Sequence, residues 1–221
     1  MTVVVLLGAP GAGKGTQADV LAQRLGVPHV ATGDLFRAAV RDGSPIGLEA
    51  RRHMERGQLV PDEITIRMLL ARLEQDDAKG GVILDGFPRN RAQAEALDVA
   101  LAERGMGVDR AVSIQVETDE LVRRLSGRWV CRDEGHVYNE KTNPPQIEGR
   151  CDLDGSPLIQ RDDDKVETIR ARLTHQLSSL QEVVAHYRTN GVLREVDGQA
   201  SIDEVAAAIL AALSAEPREV T

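Results

Sequence analysis

Aromatic side chains are scarce in this chain of 221 residues: phenylalanine, tryptophan and tyrosine together make up 2% of it. Without aromatic platforms on which bases could stack, binding of single-stranded nucleic acid is not expected. The formal net charge of -8 indicates the same, because an acidic protein is repelled by polynucleotides and by anionic membranes. The core must be built mainly from aliphatic side chains, and small anions remain possible ligands.

Cysteines and long apolar runs are scarce as well. Cys131 and Cys151 are the only cysteines, too few for the disulfide framework of a secreted protein and typical of a reducing cytosol. No stretch approaches the roughly 18 apolar residues of a membrane span, and the N-terminus begins as a strand without the charged start of a signal peptide. We therefore expect a soluble, cytoplasmic protein with no nucleic-acid or membrane partner.

The most informative segment follows an apolar run at 3–7 and reads GAPGAGKGT, from Gly8 to Thr16. Residues this small let successive backbone N–H groups converge on one anion, and a helix starting near Gly15 would direct its positive dipole end to the same point. Lys14 supplies a full positive charge. The spacing fits a P-loop, although Gly15 stands where that pattern has a hydroxyl, which arrives at Thr16. The segment therefore predicts binding of nucleotide phosphates rather than an ordinary glycine-rich turn.

Apolar strands and helical patterns alternate along most of the chain. Strands are expected at 3–7, around Val30, and at 82–84, 111–116 and 193–196. Asp34 and Asp62 are expected to cap helices, Ser44 followed by Pro45 starts another, and a long, broken helix is expected at 164–190. Residues 127–160 instead are rich in Gly, Pro, Asp and Asn and lack helical periodicity. This order predicts a doubly wound parallel α/β sheet with ligands at the carboxyl ends of its strands, and a small β-rich insertion.

Three motifs in one order resemble the adenylate kinases, specifically the bacterial long-lid type. They are the loop 8–16, the segment 32–37, and Asp85 with the GFPR sequence 86–89 and Gln93 after it. The likeness covers nearly everything from 3 to 213. It implies a P-loop doubly wound parallel five-stranded sheet formed by 1–30, 61–126 and 162–221, a small helical AMP-binding insertion at 31–60, and a β-rich lid at 127–161.

The resemblance also implies a reaction and its partners: reversible, magnesium-dependent transfer of phosphate from ATP to AMP, giving two ADP, by a protein that is usually monomeric. An aspartate after a buried strand is where nucleotide-binding α/β proteins place a magnesium carboxylate, so Asp85 would hold the ion, through water. Two alternatives stay open, namely a kinase for another nucleoside monophosphate (UMP/CMP or GMP) and a non-catalytic nucleotide-binding module.

The residues that the family uses fall on matching positions of this chain. ATP would be bound by Gly11, Ala12, Gly13, Lys14, Gly15, Thr16, Arg124, Arg128, Val137, Tyr138 and Ala200. AMP would be bound by Thr32, Gly33, Arg37, Gln58, Leu59, Val60, Gly86, Phe87, Pro88, Arg89, Gln93, Arg161 and Arg172. Catalytic roles would fall on Lys14, Arg89, Arg128, Arg161, Arg172, Asp163 and Asp164, the two aspartates helping to organise the waters of magnesium. The family also implies a cis peptide between Phe87 and Pro88.

The chemistry of these side chains agrees with such roles. Guanidinium groups bind phosphate bidentately, which suits Arg37 and Arg89 as clamps on the AMP phosphate. The amide of Gln93 can pair a donor and an acceptor with an adenine edge, whereas relatives that act on pyrimidine monophosphates usually carry Asn there. Gln93, supported by Thr32, therefore favours AMP as the acceptor.

A candidate metal site lies in the expected lid. Two residues separate Cys131 from Glu134 and Cys151 from Asp154, which is the spacing of a zinc knuckle. Many lids of this family hold structural zinc with four cysteines, or three and an aspartate, and others replace the metal with a hydrogen-bonded polar cluster. Two thiolates and two carboxylates could bind zinc, but carboxylates are the less usual structural ligands. Packing of the two thiols without metal is the favoured interpretation.

Overall fold

A computed structural model describes residues 2–56, 58–161 and 164–214. In chain order its elements are β1 (Thr2–Leu7), α1 (Lys14–Leu25), β2 (His29–Ala31), α2 (Thr32–Arg41), α3 (Pro45–Met54), α4 (Asp62–Leu73), a 3-10 helix (Asp76–Gly80), β3 (Gly81–Asp85), α5 (Arg91–Ala102), β4 (Arg110–Gln115), α6 (Thr118–Ser126), β5 (Arg128–Cys131), β6 (Val137–Asn139), β7 (Leu158–Ile159), α7 (Val166–Thr189), β8 (Leu193–Asp197) and α8 (Ile202–Ser214). Among these helices, none has the length and apolar character needed to cross a membrane.

Five strands form one parallel sheet in the order β2-β3-β1-β4-β8, which confirms the predicted fold class. β1 is central, and its alternating side chains enter two different cores. Val4 and Leu6 pack with residues of α1, α6 and α8, whereas Val3, Val5 and Leu7 pack with residues of α4, α5 and α7. Helices therefore cover both faces of the sheet, and the loops at its carboxyl edge are left to form the site.

The helical insertion after β2 differs in detail from the prediction. α2 begins at Thr32 directly after the extended residue Ala31, so the expected helix cap at Asp34 is wrong, and Asp34 lies within the first turn. Ser44 does cap α3, since its hydroxyl accepts a 3.2 Å hydrogen bond from the amide of Gly47. A Cβ at Gly47 would lie 2.1 Å from the carbonyl oxygen of Ala39, so this close approach of α2 and α3 requires glycine.

Two further helix predictions are corrected. Asp62 is the first residue of α4 rather than its cap, because Pro61 occupies the cap position and the Asp62 carboxylate turns to α5 instead. α7 is one uninterrupted helix of 24 residues, not a broken one. Its buried face contributes Ile169, Leu173 and Val183, and this stripe continues from one core cluster into the other.

The insertion between α6 and α7 is β-rich, as expected. Strands β5, β6 and β7 form an antiparallel sheet in the order β6-β5-β7. A small cluster of buried side chains stabilises it, comprising Cys131, Tyr138, Cys151 and Leu158 with Trp129 packed against them. This second sheet corresponds to the predicted lid.

Candidate active site

The loop between β1 and α1 has the geometry that its glycines predict. Gly13 is the N-cap residue of α1 and has a φ of 90°, a left-handed conformation that glycine adopts without strain. The Lys14 side chain folds back over the loop, where its Nζ donates hydrogen bonds to the carbonyl oxygens of Gly8 at 2.9 Å and Ala9 at 3.1 Å. The ammonium group is thereby held beside the first turn of α1, whose free N–H groups attract anions.

Lys14 lies beside one carboxylate and three guanidinium groups. Burial lowers the pKa of Lys14 to about 8; the Asp85 carboxylate opposes this, and the positive charges of Arg89, Arg172 and Arg128 add to it. Lys14 and the three guanidinium groups outnumber the carboxylates of Asp85 and Asp164 beside them, so the site needs further negative charge. Polyphosphate supplies that charge, so the electrostatics favour a highly anionic ligand at this point.

Asp85 ends β3 next to the loop, as predicted. A Cβ placed on Gly15 would lie 3.5 Å from Asp85 Oδ2, an ordinary van der Waals distance, so the first turn of α1 lies directly beside the carboxylate. Burial would raise the pKa of Asp85, but the neighbouring His29 and the charge of Lys14 outweigh it and lower the pKa. An ionised carboxylate at the carboxyl end of a strand, beside a phosphate-binding loop, fits a Mg²⁺ ion held directly or through water.

His29 lies behind Asp85 and was not anticipated from the sequence. Its Nδ1 pairs with Asp19 Oδ1 at 2.8 Å, and its Nε2 lies 3.6 Å from Asp85 Oδ2, an ion-pair distance rather than a hydrogen bond. Burial would lower the pKa of His29, but interactions with the two carboxylates outweigh it and raise the pKa to about 9. The imidazolium therefore supports the charged state of Asp85.

A second pocket opens beside the loop, between the helical insertion and the core. Its wall comprises Thr32, Gly33, Phe36, Arg37, Met54, Gln58, Leu59, Val60, Thr65, Arg89, Gln93, Arg172 and Gln176. Most of the residues predicted to bind AMP are thus brought together. Sequence reasoning missed Phe36, Met54, Thr65 and Gln176; the last could have been found, because it lies one helical turn after Arg172 on the same face of α7.

Other residues predicted for this pocket lie behind its wall. The carbonyl oxygen of Gly86 accepts hydrogen bonds from Thr32 Oγ1 at 2.9 Å and from Arg89 Nε at 2.6 Å. Phe87 is buried in the core, so its side chain is not available to a ligand. The peptide bond between Phe87 and Pro88 is cis, which confirms that prediction. The Gly86 carbonyl therefore orients Thr32 and Arg89.

Gln93 is buried at the same pocket and is held by two neighbours. Its Nε2 donates to Asp62 Oδ1 at 2.7 Å, and its Oε1 accepts from the backbone N–H of Arg89 at 2.8 Å. Arg37 has a carboxylate partner, since its guanidinium pairs with Asp34 three residues earlier. The pocket thus presents an amide at one position and guanidinium groups at others, which suits a nucleoside monophosphate.

The arginines at the lid hinges meet at a buried carboxylate. Asp164 accepts a bidentate pair of hydrogen bonds from Arg128 and a longer one, 3.3 Å, from Nη1 of Arg172. Arg161 lies just before, and its carbonyl oxygen accepts from the amide of Asp164. The role of Asp164 in holding magnesium waters stays a prediction; in this structure its oxygens accept hydrogen bonds from guanidinium groups. Asp163, predicted with it, lies outside the described residues.

Predicted ATP contacts from two distant segments are neighbours in space. Arg124 Nη2 donates to the carbonyl oxygen of Gly198 at 2.9 Å, which places Arg124 beside the loop that contains Ala200. Arg124 is also 4.0 Å from a Cβ built on Gly13. In the lid, Val137 is exposed, but Tyr138 is buried and its hydroxyl contacts Cys151 Sγ at 3.4 Å. Tyr138 could therefore reach a ligand only through its backbone.

The candidate metal site has a different ligand set from the predicted one. Cys131, His136, Cys151 and Asp154 bring their ligand atoms within 4.8 Å of one another. Cys131 Sγ donates to Asp154 Oδ2 at 3.1 Å, and His136 Nδ1 lies 3.3 Å from Cys151 Sγ. Glu134 is not a member: only its backbone amide contacts Cys131, so its inclusion was wrong. Two thiols, an imidazole and a carboxylate at these separations fit a tetrahedral zinc ion.

Comparisons with known proteins connect this architecture to one family. The family model described as adenylate kinase matches residues 6–192. A protein named adenylate kinase from Thermodesulfovibrio yellowstonii is 50% identical over 210 residues, which cover 95% of this chain and 98% of that protein. Others with the same name, from Streptomyces griseus and Exiguobacterium sibiricum, are 48% and 46% identical over 213 residues, 96% of this chain and at least 97% of theirs. The matches span the loop, the second pocket and the lid.

Proposed function

Because the chain belongs to the adenylate kinase family, we propose that its loop and its second pocket hold ATP and AMP side by side for direct phosphoryl transfer. The enzyme is a phosphotransferase that converts ATP and AMP to two ADP, reversibly. The observation that supports the proposed site most strongly is the position of Lys14, held over the phosphate loop and within electrostatic range of Arg89, Arg128 and Arg172.

The proposed reaction needs no covalent intermediate with the protein. An oxygen of the AMP phosphate attacks the γ-phosphorus of ATP, and the bond from that phosphorus to the β–γ bridging oxygen breaks. Lys14 and the arginines lower the cost of the negative charge that gathers on the transferred group. Mg²⁺, held near Asp85, would neutralise further charge on ATP. Arg37 and Arg89 would bind the AMP phosphate and set its direction of attack.

The acceptor pocket favours adenine. Gln93 presents an amide that can both donate and accept, and Thr32 lines the same pocket. A kinase for another nucleoside monophosphate would share the phosphate contacts, so only Gln93 and Thr32 distinguish it from a kinase for AMP. The family assignment does not favour this alternative. A non-catalytic module is disfavoured by the same assignment.

Transfer between nucleotides requires that water be kept from the γ-phosphate. We propose that residues 31–60 close over AMP and 127–161 close over ATP, on a core of 1–30, 61–126 and 162–221. Both segments carry arginines predicted to bind phosphate, Arg37 in the first and Arg128 with Arg161 in the second. Closure on a bound nucleotide would bring these charges onto the phosphates and exclude water.

The lid has a donor set that would hold structural zinc. The metal-free interpretation relied on the loss of two thiolates, and His136 supplies a third ligand of a type that zinc prefers. We therefore propose zinc bound by Cys131, His136, Cys151 and Asp154, remote from the reaction. A monomeric, cytoplasmic enzyme is the prediction that accompanies this function.

A coupled assay with ATP and each of AMP, GMP, CMP and UMP tests the proposed function. We expect kcat/KM for AMP to exceed that for the other acceptors by about a hundredfold or more. The variant Lys14→Met should remain folded and lose about a thousandfold in kcat, whereas the matched variant of an exposed lysine, Lys79→Met, should keep full activity. Preference for another acceptor, or full activity in Lys14→Met, would contradict the proposal.

A further inference from the structure

We propose that Asp62 is a positioning residue that fixes the side-chain amide of Gln93 in the orientation that matches adenine and mismatches 6-oxopurines. The inference rests on the proposed role of Gln93 in AMP binding. Asp62 is the first residue of α4, and its carboxylate reaches across to the first turn of α5, where Gln93 lies. Its position in the sequence suggests only a helix-start residue.

The orientation of the Gln93 amide follows from what its partners can do. The backbone N–H of Arg89 can only donate, so the atom 2.8 Å from it must be the oxygen of the amide. The Asp62 carboxylate only accepts, so the atom 2.7 Å from it must be the nitrogen. The two contacts agree on one orientation, and reversing the amide would set oxygen against oxygen and N–H against N–H.

Asn90 holds Asp62 in place by the same logic. Its Oδ1 accepts from the backbone N–H of Gln93 at 2.9 Å, which caps α5 and directs its Nδ2 away. That Nδ2 donates to both oxygens of Asp62, at 2.9 and 3.0 Å. Two backbone N–H groups and one carboxylate thus determine the orientation of the side-chain amides of Asn90 and Gln93. Because these groups are fixed in the fold, the network is set before any nucleotide binds.

The remaining capacity of Gln93 matches one base edge. An amide NH₂ has two hydrogens and an amide oxygen accepts two hydrogen bonds. One hydrogen is used on Asp62 and one acceptor site on Arg89, and Gln93 lies on the wall of the acceptor pocket. The second hydrogen and the second acceptor site form a donor and acceptor pair for a base.

The fixed order of that pair distinguishes two classes of purine. Adenine offers an amino group at position 6 and an acceptor at N1, so it accepts from the Gln93 nitrogen and donates to its oxygen. Guanine and hypoxanthine have an oxygen at position 6 and an N–H at N1, the reverse order. A freely rotating amide could serve either edge, whereas the amide held by Asp62 serves only adenine. The network therefore contributes selectivity by penalising the wrong base.

A double-mutant cycle tests the inference, with kcat/KM for AMP and for inosine monophosphate, whose base is hypoxanthine, as the readout. We expect Asp62→Ala to reduce the ratio of kcat/KM for AMP to kcat/KM for inosine monophosphate by about tenfold. The change should come mainly from a higher KM for AMP, with KM for ATP unchanged. In the Gln93→Ala background the same substitution should change the ratio by less than about twofold. Asp62→Asn keeps an oxygen that can serve Asn90 and Gln93 and should retain most of the selectivity.

Control variants separate positioning from a general effect on the fold. Glu63→Ala removes the neighbouring exposed acid from the same turn of α4 and should leave the ratio unchanged. Asp62→Ser replaces the alanine variant if the latter does not fold. An unchanged ratio in Asp62→Ala, or an equal change with and without Gln93, would overturn the inference while leaving the proposed function intact. An unchanged ratio in Gln93→Ala alone would instead contradict Gln93 as the reader of the base, and the inference with it.

Discussion

The carboxylate of Asp164 holds the guanidinium of Arg128 in a bidentate pair, with Nε donating to Oδ2 at 2.7 Å and Nη2 donating to Oδ1 at 2.5 Å. Arg128 begins the first strand of the lid, whereas Asp164 lies just before α7 and is fully buried. The pair therefore joins the two chain segments that lead into and out of the lid. It also sets the direction of an arginine proposed to bind the transferred phosphate.

Replacing Asp164 with Asn should lower both stability and activity. The substitution leaves Arg128 and Arg172 close together without the negative charge between them, and breaking such a buried pair costs about 3 kcal/mol. We expect a lower free energy of unfolding in urea and about tenfold lower kcat, because Arg128 loses its fixed direction. Glu167→Gln removes an exposed acid at the start of α7 and should alter neither value. An unchanged free energy of unfolding in Asp164→Asn would show that the ion pair makes no net contribution to stability, contrary to this prediction.

Nucleotide binding should protonate Lys14. Its pKa of about 8 in the free enzyme reflects burial and neighbouring arginines, and the phosphates of ATP favour the ammonium form. Titration of ATP alone at pH 8.5, in buffers of different ionisation enthalpy, should therefore show uptake of roughly 0.7 proton. The variant Lys14→Met should lack this uptake. Equal proton uptake in both proteins would assign it to another group.

The stabilising effect of His29 should decrease as the pH rises. Its pKa is raised in the folded state, from 6.5 to about 9, so the charged imidazole stabilises the fold fully below pH 6.5 and loses this effect as the pH rises through 9. We expect His29→Gln to lower the free energy of unfolding by about 2 kcal/mol at pH 6 and by much less at pH 9.5. A larger loss at the higher pH would contradict the proposed charge state.

Metal analysis should find about one zinc per chain after dialysis. The variants Cys151→Ser and His136→Ala should lose the metal and unfold the lid at lower temperature, whereas Glu134→Gln should keep it. This comparison distinguishes the two candidate ligand sets: the structure includes His136 and excludes Glu134, whereas the sequence spacing includes Glu134 and excludes His136. Loss of zinc in Glu134→Gln, or no zinc in the unmodified chain, would contradict the proposed site.

The elements that the sequence predicts well are those with local causes. The phosphate loop follows from small residues, a preceding apolar strand and a lysine, all within a few positions. Strand β1 is recognisable because its side chains are buried on both faces. The cap at Ser44 depends on its own hydroxyl and an amide three residues later. Such features need no knowledge of the rest of the chain.

The missed features depend on groups far apart in the sequence. Asp62 is a residue type typical of helix caps, yet its partners are Asn90 and Gln93, 28 and 31 residues away at the start of α5. His136 joins the lid cluster because strands β5 and β6 pair antiparallel, and a fixed two-residue gap cannot anticipate this pairing. Asp34 lies inside α2 because β2 leads into the helix without a loop. In each case tertiary contacts outweigh a local preference.

A crystal structure with a bisubstrate analogue, two adenosines joined by five phosphates, tests the central claim most directly. We predict that the polyphosphate lies on the backbone of 11–16 and on Lys14, that one adenine contacts Gln93, and that the other lies between Arg124 and the loop containing Ala200. A loop without phosphate, or an analogue that leaves the pocket of Arg37 and Arg89 empty, would contradict it.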